Sequence, residues 1–239
     1  MNMFPDYEAF LRIFREKGYA IDPLVAGDLT QNGVLYMRHD IDFDVELALE
    51  MARIEARLGA RATYFLMLTS DNYNLFSGRN AACVQQIKAL GHKVSIHFDP
   101  VRHEDFETGL SQEITAFEAF FKTEVDLISL HRPNDFFLSH DQNIGGVAHT
   151  YQSKYLKDIK YVADSRGSFR FGPPEETDAF ARGASIHLLI HPVWWVMPSP
   201  SPQETLDAFT LRRLGQFQDD IEANCLAYSR AASRIAVEI

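Results

Sequence analysis

The sequence predicts an α/β protein built on a parallel sheet. Four short apolar runs with strand character are separated by three segments with helical periodicity. Strands that alternate with helices of this length form parallel sheets covered by helices, either doubly wound or closed into a barrel. The composition agrees, since 239 residues with 46% hydrophobic and 23% charged residues are typical of a soluble globular protein.

The first half of the chain shows this alternation most clearly. A short amphipathic helix is predicted over residues 7–18. Further on, apolar residues recur every three or four positions, as at Leu47, Met51, Ile54 and Leu58, and Gly59 ends that helix. The predicted strands lie at residues 34–37, 62–68, 92–97 and 125–131, and the helices between them fill the intervening segments.

The second half has longer loops and fewer regular segments. Residues 133–158 and 165–183 are rich in Gly, Pro, Asn, Ser and charge, which is typical of loops. Short strands are predicted at 160–163 and 186–190. Ser201-Pro202-Gln203-Glu204 is a capping box with proline at the first helical position, so it predicts a long C-terminal helix. With no repeat and no linker, residues 1–239 are expected to form one domain.

Charge and composition exclude several classes of function. The chain has 23 basic and 33 acidic residues, a net charge of −10, which disfavours nucleic acid and anionic membranes as partners. No segment reaches the ~18 apolar residues of an integral membrane helix, and no secretory signal is recognisable, so a cytoplasmic protein is expected. Two cysteines are too few for a disulfide framework. The oligomeric state is not determined by the sequence.

Histidine, aspartate and arginine side chains collect at the ends of the predicted strands. In parallel α/β proteins the carboxyl ends of the strands meet at one edge, where ligands bind. Four strand ends together therefore predict a metal site or an acid–base site at that edge. The residues concerned are Asp40, Asp42, His97, Asp99, His131, Arg132 and His191.

Asp40 and Asp42 share a face if the segment stays extended, because side chains alternate along a strand. Two carboxylates this close repel each other unless a cation or a shared proton lies between them. The pair is therefore a candidate metal ligand with a general base beside it. The alternative is an acid cluster at the N-terminus of the helix that begins near Asp44, where the helix dipole favours negative charge.

Four motifs along the chain together resemble those of the polysaccharide deacetylases, the NodB-homology family or carbohydrate esterase family 4. The first motif resembles the branch whose pattern reads Arg-His-Asp-x-Asp. The resemblance covers roughly residues 30–195 and implies an irregular (β/α) barrel of about seven strands. The motifs are Arg38-His39-Asp40-Ile41-Asp42, Gly91-His92-Lys93-Val94-Ser95-Ile96-His97, Leu130-His131-Arg132-Pro133 and Leu189-Ile190-His191-Pro192.

The resemblance also implies roles for the motif residues. Asp40 resembles the general base, Asp42 and His97 resemble metal ligands, Arg132 resembles the arginine that pairs with the base, and His191 resembles the general acid. The family's third metal ligand would fall on Val101, so another histidine must replace it. His103 and His131 are the candidates, and His131 is favoured. An Asp-His-His set with an open position suits zinc.

Three further residues are candidates on the substrate side of the site. Asp164 lies where the family has a supporting acid. Trp194 and Trp195 follow His191 and could form an apolar wall against a sugar or acyl group, or could pack in the core. His187, two pleats deeper on the same strand, is interpreted as a core residue.

The function implied by the resemblance is metal-dependent removal of an acetyl or formyl group from the nitrogen of an amino sugar. With no export signal recognisable, the expected substrate is a small-molecule, lipid-linked or nucleotide-linked intermediate of surface-polysaccharide or O-antigen biosynthesis. Three alternatives stay open: a metal-free amidohydrolase of the same fold, a non-catalytic sugar-binding relative, and a phosphoester hydrolase with two metals.

Overall fold

The computed structural model describes residues 2–27, 29, 31–233 and 235. Strands and helices alternate along the chain, as the sequence predicts. The strands are β1 (Ala20–Pro23), β2 (Val34–Ile41), β3 (Thr63–Leu66), β4 (Lys93–Phe98), β5 (Leu127–Leu130), β6 (Ala148–His149), β7 (Lys160–Ala163) and β8 (Ile186–Ile190).

The α-helices cover the sheet and differ widely in length. The longer ones are α1 (Tyr7–Glu16), α2 (Val45–Arg57), α3 (Gly78–Ala89), α4 (Phe106–Phe121) and α9 (Pro202–Asn224). The single-turn helices are α5 (Asp135–Ser139), α6 (Ser153–Leu156), α7 (Asp178–Arg182) and α8 (Pro192–Val196). The long C-terminal helix is confirmed, and the Ser201 side chain caps it by accepting a hydrogen bond from the Glu204 backbone N–H at 3.2 Å.

The strands form one parallel sheet that curls into a half-barrel. Their spatial order is β6-β5-β4-β3-β2-β8-β7, and every strand pairing is parallel. β1 lies off this path, because it pairs with the first half of β2 while β3 pairs with the second half. The predicted irregular (β/α) barrel of about seven strands is therefore confirmed.

Alternation along β2 separates two buried layers, since all eight of its residues are buried. Leu35, Met37 and Ile41 pack into the main core between the sheet and the helices. Val34 and Tyr36 face the inside of the half-barrel, where they belong to a second, smaller hydrophobic cluster. The other buried residues of this cluster are Leu24, Phe65, Leu127, Ala148 and Tyr155.

Two strands and several short helices were not predicted from the sequence. β1 has a single buried apolar residue, Ile21, and β6 is only two residues long. Neither strand therefore shows an alternation of apolar and polar residues in the sequence. The segments predicted as loops, 133–158 and 165–183, contain α5, α6, β6 and α7. Among the described residues, no helix combines the length and apolar character needed to cross a membrane.

His187 on β8 lies inside the half-barrel and is fully buried, as its interpretation as a core residue requires. Its Nδ1 lies 2.8 Å from the Tyr155 carbonyl oxygen. Burial, together with the positive charge of Arg38, lowers the pKa of His187 to about 3. The folded protein therefore holds this imidazole neutral at pH values where the unfolded chain protonates it.

Acid should destabilise the protein partly through His187. Its pKa is 6.5 when unperturbed and about 3 in the fold, so stability present above pH 6.5 is lost as the pH falls towards 3. We expect His187→Asn to flatten this loss by up to about 1.4 kcal/mol per pH unit. Urea unfolding at pH 7, 6 and 5 measures the slope. His140→Asn, at a less buried histidine, should keep the wild-type slope; an unchanged slope in His187→Asn would contradict the assignment.

Candidate metal and acid–base site

Asp42, His97 and His131 meet at the carboxyl edge of the sheet. The Asp42 Oδ1 atom lies 3.1 Å from His97 Nε2 and 3.4 Å from His131 Nδ1, and the two ring nitrogens are 3.1 Å apart. Tetrahedral ligands that each lie about 2.0–2.1 Å from a zinc ion are separated from one another by about 3.3–3.4 Å. The three donor atoms are therefore spaced as ligands of a single ion, and their chemistry suits zinc.

Ser129 on β5 fixes the orientation of His97. The two residues are level on neighbouring strands, and the Ser129 hydroxyl forms a hydrogen bond with His97 Nδ1. This bond turns Nε2 towards Asp42, in the way that outer hydrogen bonds orient metal-binding histidines. Ser129 was not among the site residues predicted from the sequence. The available signal was its position two residues before His131, on the same face of the strand.

The Asp42 carboxylate is held in its charged form by the two histidines. Burial would raise the pKa of Asp42, but the neighbouring imidazoles of His131, His97 and His191 hold it well below its usual range. The backbone at this point is also fixed, since the Asn72 side chain donates to the Asp42 carbonyl oxygen at 2.9 Å. Asp42 is thus an ionised carboxylate in a fixed position, suited to bind a metal ion.

His103, the other candidate for the third ligand, lies in a different environment. Its Nε2 is 2.8 Å from Glu113 Oε1, and its ring stacks on Phe98. The described residues that converge as a ligand set include His131 instead.

Asp44 accounts for the acidic helix N-terminus that was the alternative interpretation of this segment. Its carboxylate accepts hydrogen bonds from the backbone N–H groups of Glu46 and Leu47, so it caps α2. Asp42 instead faces two histidines. The two functions of the acidic segment are therefore divided between different residues.

Asp40 lies one pleat deeper than Asp42 and is buried. One of its oxygens, Oδ2, is 3.4 Å from Arg38 Nη2 and 3.9 Å from His97 Nδ1. The other, Oδ1, is buried and accepts no hydrogen bond from the part of the chain that the structure describes. Burial would raise the pKa of Asp40, but the charges of Arg38, His97 and His191 lower it. The result is an ionised carboxylate with one oxygen available to a donor.

The arginine beside Asp40 is Arg38, which corrects the assignment made for Arg132. Arg38 is fully buried, and its guanidinium lies 5.8 Å and 5.9 Å from the ring centres of Tyr151 and Tyr161. Arg132 donates to Asp99 instead, and its side chain is 55% exposed. Strand alternation could have identified Arg38, because it shares a face of β2 with Asp40.

His191, at the end of β8, pairs with Asp164. Its Nδ1 is 2.6 Å from Asp164 Oδ1, and its Nε2 lies 3.9 Å from Asp42 Oδ2. Burial disfavours the charged imidazole, but Asp164, with Asp42 and Asp40, raises the pKa of His191 to about 9. At neutral pH the ring is therefore protonated, with Nε2–H directed towards the site.

Asp164, predicted as a supporting acid on the substrate side of the site, orients His191 and does not line an open substrate surface. It is fully buried, and its Oδ2 accepts hydrogen bonds from the His191 backbone N–H at 3.0 Å and from Trp195 Nε1 at 2.8 Å. Its other oxygen engages the His191 ring. All these contacts fix one imidazole in one orientation, so Asp164 is a positioning residue.

Trp194 and Trp195 are buried and do not form the exposed wall considered from the sequence. Trp195 stacks on Phe4, with ring centres 4.5 Å apart, and also donates to Asp164. Trp194 packs edge-on against Phe43. The physical reason is the single-turn helix α8, which turns both rings away from the edge of the sheet and into the core.

A buried carboxylate on α2 anchors β2 from the face opposite the site. Glu55 accepts hydrogen bonds from Tyr7 Oη at 2.5 Å and Tyr64 Oη at 2.7 Å, and lies 2.6 Å from His39 Nε2. Burial would raise the pKa of Glu55, but His39 lowers it. Because His39 directly precedes Asp40 on β2, this network fixes the position of the strand that carries the site.

Asp164→Asn should lower the pKa of His191, because it removes the principal charge that stabilises the imidazolium. We expect a decrease of at least one unit from about 9 in protein freed of metal, measured by ¹⁵N NMR titration of the histidine rings. Asp158→Asn, at an exposed residue, is the control and should leave the value unchanged. A His191 pKa that stays near 9 in Asp164→Asn would show that Asp164 does not set the charge.

No family model matches the chain, and no curated protein matches it in sequence. Solved structures do show a similar backbone at low identity. A family 4 carbohydrate esterase from Bacillus anthracis has a TM-score of 0.45 at 13% identity, over 80% of each chain. The Streptococcus pyogenes deacetylase PplD in complex with acetate has a TM-score of 0.44 at 14% identity, over 84% of each chain.

A pseudoenzyme also resembles the chain. Wild-type BA3943, a CE4 family pseudoenzyme from Bacillus anthracis, has a TM-score of 0.41 at 15% identity over 81% of this chain. The chain spans 64% of the length of that protein, and 66% of a mutant with restored enzymatic activity.

Proposed function

We propose that the protein is a metal-dependent hydrolase that removes an acyl group from the nitrogen of an amino sugar. The observation that carries the proposal is the combination of three metal-ligand atoms with a charged carboxylate and a charged imidazole. Asp40 and His191 each approach within 3.9 Å of a residue of the ligand set. Amide hydrolysis needs these three components together: an electrophilic ion, a base for water and an acid for the leaving nitrogen.

Asp42, His97 and His131 are the proposed ligands, and zinc is the proposed ion. Three protein ligands leave one position of a tetrahedron for water or substrate, as in catalytic zinc sites. When bound, zinc supplies a Lewis acid that polarises the acyl carbonyl and lowers the pKa of water.

Asp40 is the proposed general base. Its charge is maintained by Arg38, and its free Oδ1 can accept a hydrogen bond and then the proton from an attacking water. The oxygen of that water forms the new bond to the acyl carbon. Burial of the carboxylate excludes bulk water, so its charge acts at short range in a medium of low dielectric.

His191 is the proposed general acid. Its pairing with Asp164 favours the protonated imidazole, which can give its Nε2 proton to the amide nitrogen as the carbon–nitrogen bond breaks. The products are a carboxylic acid and an amine. Asp164 keeps the ring in the orientation that directs Nε2 into the site and stabilises its charge before transfer.

The resemblance of the strand-end motifs to those of polysaccharide deacetylases favours an amino sugar as the substrate, with acetyl and formyl as candidate leaving groups. We propose a small intermediate of surface-polysaccharide or O-antigen assembly, free or linked to a nucleotide or a lipid. Release of acetate or formate from a panel of N-acylated amino sugars tests the reaction. Turnover that survives complete removal of metal would instead support a metal-free amidohydrolase of the same fold, and absence of turnover with loaded metal would support a sugar-binding protein.

His97→Ala and His131→Ala should each remove bound metal, because each deletes one of three ligands. We expect near-stoichiometric zinc in the wild-type protein and a loss of most of it in both variants, measured by elemental analysis after dialysis. His103→Ala is the matched control, because His103 is hydrogen-bonded to Glu113 and lies outside the ligand set. This variant should leave the zinc content unchanged. Loss of zinc in His103→Ala but not in His131→Ala would reverse the assignment of the third ligand.

A further inference from the structure

A cleft of about 270 Å³ opens beside the proposed ligand set. Asp42 and His131 line one part of it, and Arg102 and Arg132 line another. Clefts that hold drug-sized ligands measure roughly 300–1,000 Å³, so this one suits about one sugar unit with a small substituent. Asp42 and His131 are proposed metal ligands, whereas Arg102 and Arg132 take no part in the proposed hydrolysis.

A single buried carboxylate holds both arginines at the cleft. Asp99 is fully buried, and its Oδ2 accepts a hydrogen bond from Arg132 and lies 3.6 Å from Arg102 Nε. Two guanidinium groups therefore converge on one negative charge. The side chains of Arg102 and Arg132 remain 37% and 55% exposed, so both keep donors directed towards solvent.

The backbone of Arg132 is held in the left-handed region, with φ at 51°. A residue with a Cβ atom rarely adopts this conformation, and such positions concentrate at functional sites. Here it turns the chain directly after His131, so that the ligand residue and the next side chain both line the same cleft.

Arg102 already binds a carboxylate group, that of Asp71. The Asp71 side chain is 75% exposed, and exposed ion pairs contribute little to stability. This contact therefore shows that the Arg102 guanidinium can bind an oxyanion. The exposed Asp71 carboxylate is a partner that a ligand can displace. Arginine suits this role because its fork of donors matches both carboxylate and phosphate oxygens.

We propose that Arg102 and Arg132 form a subsite for an anionic substituent, a phosphate or a carboxylate, on the sugar that is deacylated next to it. The inference that the ligand is a sugar rests on the proposed function. The preference is confined to the two guanidinium groups, because Asp42, Asp71 and Asp99 also line the cleft and the chain as a whole has a net charge of −10.

The test measures the binding of compounds that carry no amide, so that binding is independent of hydrolysis. Glucosamine, glucosamine 1-phosphate, glucosamine 6-phosphate and muramic acid are titrated into the purified protein by calorimetry at low salt. We expect at least one anionic compound to bind at least about tenfold more tightly than glucosamine. The phosphates and muramic acid distinguish a phosphate site from a carboxylate site.

Three variants locate the effect. Arg102→Gln and Arg132→Gln should each abolish most of the preference, whereas Arg57→Gln, at an exposed arginine paired with Glu8, should retain it. Equal affinity for glucosamine and all the anionic compounds would overturn the proposal, as would a preference that persists in both cleft variants. Thermal melting of each variant confirms that it is folded.

The experiments distinguish failure of the subsite proposal from failure of the proposed hydrolase function. Arginine-dependent binding of the anionic compounds, without release of acyl groups from any N-acylated sugar, would support the subsite and contradict the hydrolase. Release of acyl groups with no binding preference for anions would contradict the subsite and support the hydrolase.

Discussion

Replacing Asp40 by Asn is expected to reduce the turnover number by about 10²–10⁴-fold, because the amide cannot accept a proton from water. The bound metal should stay, since Asp42, His97 and His131 are the proposed ligands. Initial rates of acyl release and elemental analysis of the same preparation measure the two quantities. A variant that loses turnover and keeps metal would separate the base from the ligands.

Asp126→Asn is the matched control for this substitution. Asp126 is a partly exposed carboxylate paired with Lys93, and it precedes β5 at the amino end of the strand, opposite the carboxyl edge that holds the site. It should leave turnover unchanged. Normal turnover in Asp40→Asn would mean that another group acts as the base.

Arg38→Met is expected to destabilise the protein by about 3–5 kcal/mol, because it leaves the buried charge of Asp40 without its cation. It should also raise the pKa of Asp40, since burial then acts with less opposition. The acidic limb of the activity profile should accordingly move to higher pH. Urea unfolding and the pH dependence of kcat/KM measure the two effects.

The double variant Arg38→Met with Asp40→Asn tests whether the two effects share one cause. Removing both charges eliminates the uncompensated group, so the free energy of unfolding should return to within about 1 kcal/mol of the wild-type value, without activity. Arg57→Met, which breaks an exposed ion pair with Glu8, should cost less than about 1 kcal/mol. Additive losses in the double variant would show that Arg38 and Asp40 do not interact.

The convergence of Asp42, His97 and His131 could be predicted because it depends on strand position alone. Each residue ends or follows a strand of a parallel sheet, and parallel strands bring their carboxyl ends to one edge. The same alternation places Arg38 on the face of Asp40 and Ser129 on the face that leads to His131. Both positions follow from strand alternation, and a fully buried arginine is in addition unusual unless it pairs with an acid.

The errors concern residues whose partners depend on the path of the chain after a strand ends. Arg132 has a left-handed backbone, so the direction of its side chain differs from the direction that strand alternation implies. Trp194 and Trp195 lie on the single turn α8, whose orientation is set by packing on Phe4 and Phe43. Such tertiary contacts leave no periodic signal in the sequence.

The open half-barrel has a consequence for self-association. A sheet that does not close presents outer strands whose backbone groups can pair with another molecule, and this is a route to aggregation. The two ends of the strand path are β6, which has two buried residues, and β7, which has four residues and begins with the exposed Lys160. Because one edge strand is short and the other begins with a charged residue, these two edges offer an incoming strand few backbone groups to pair with.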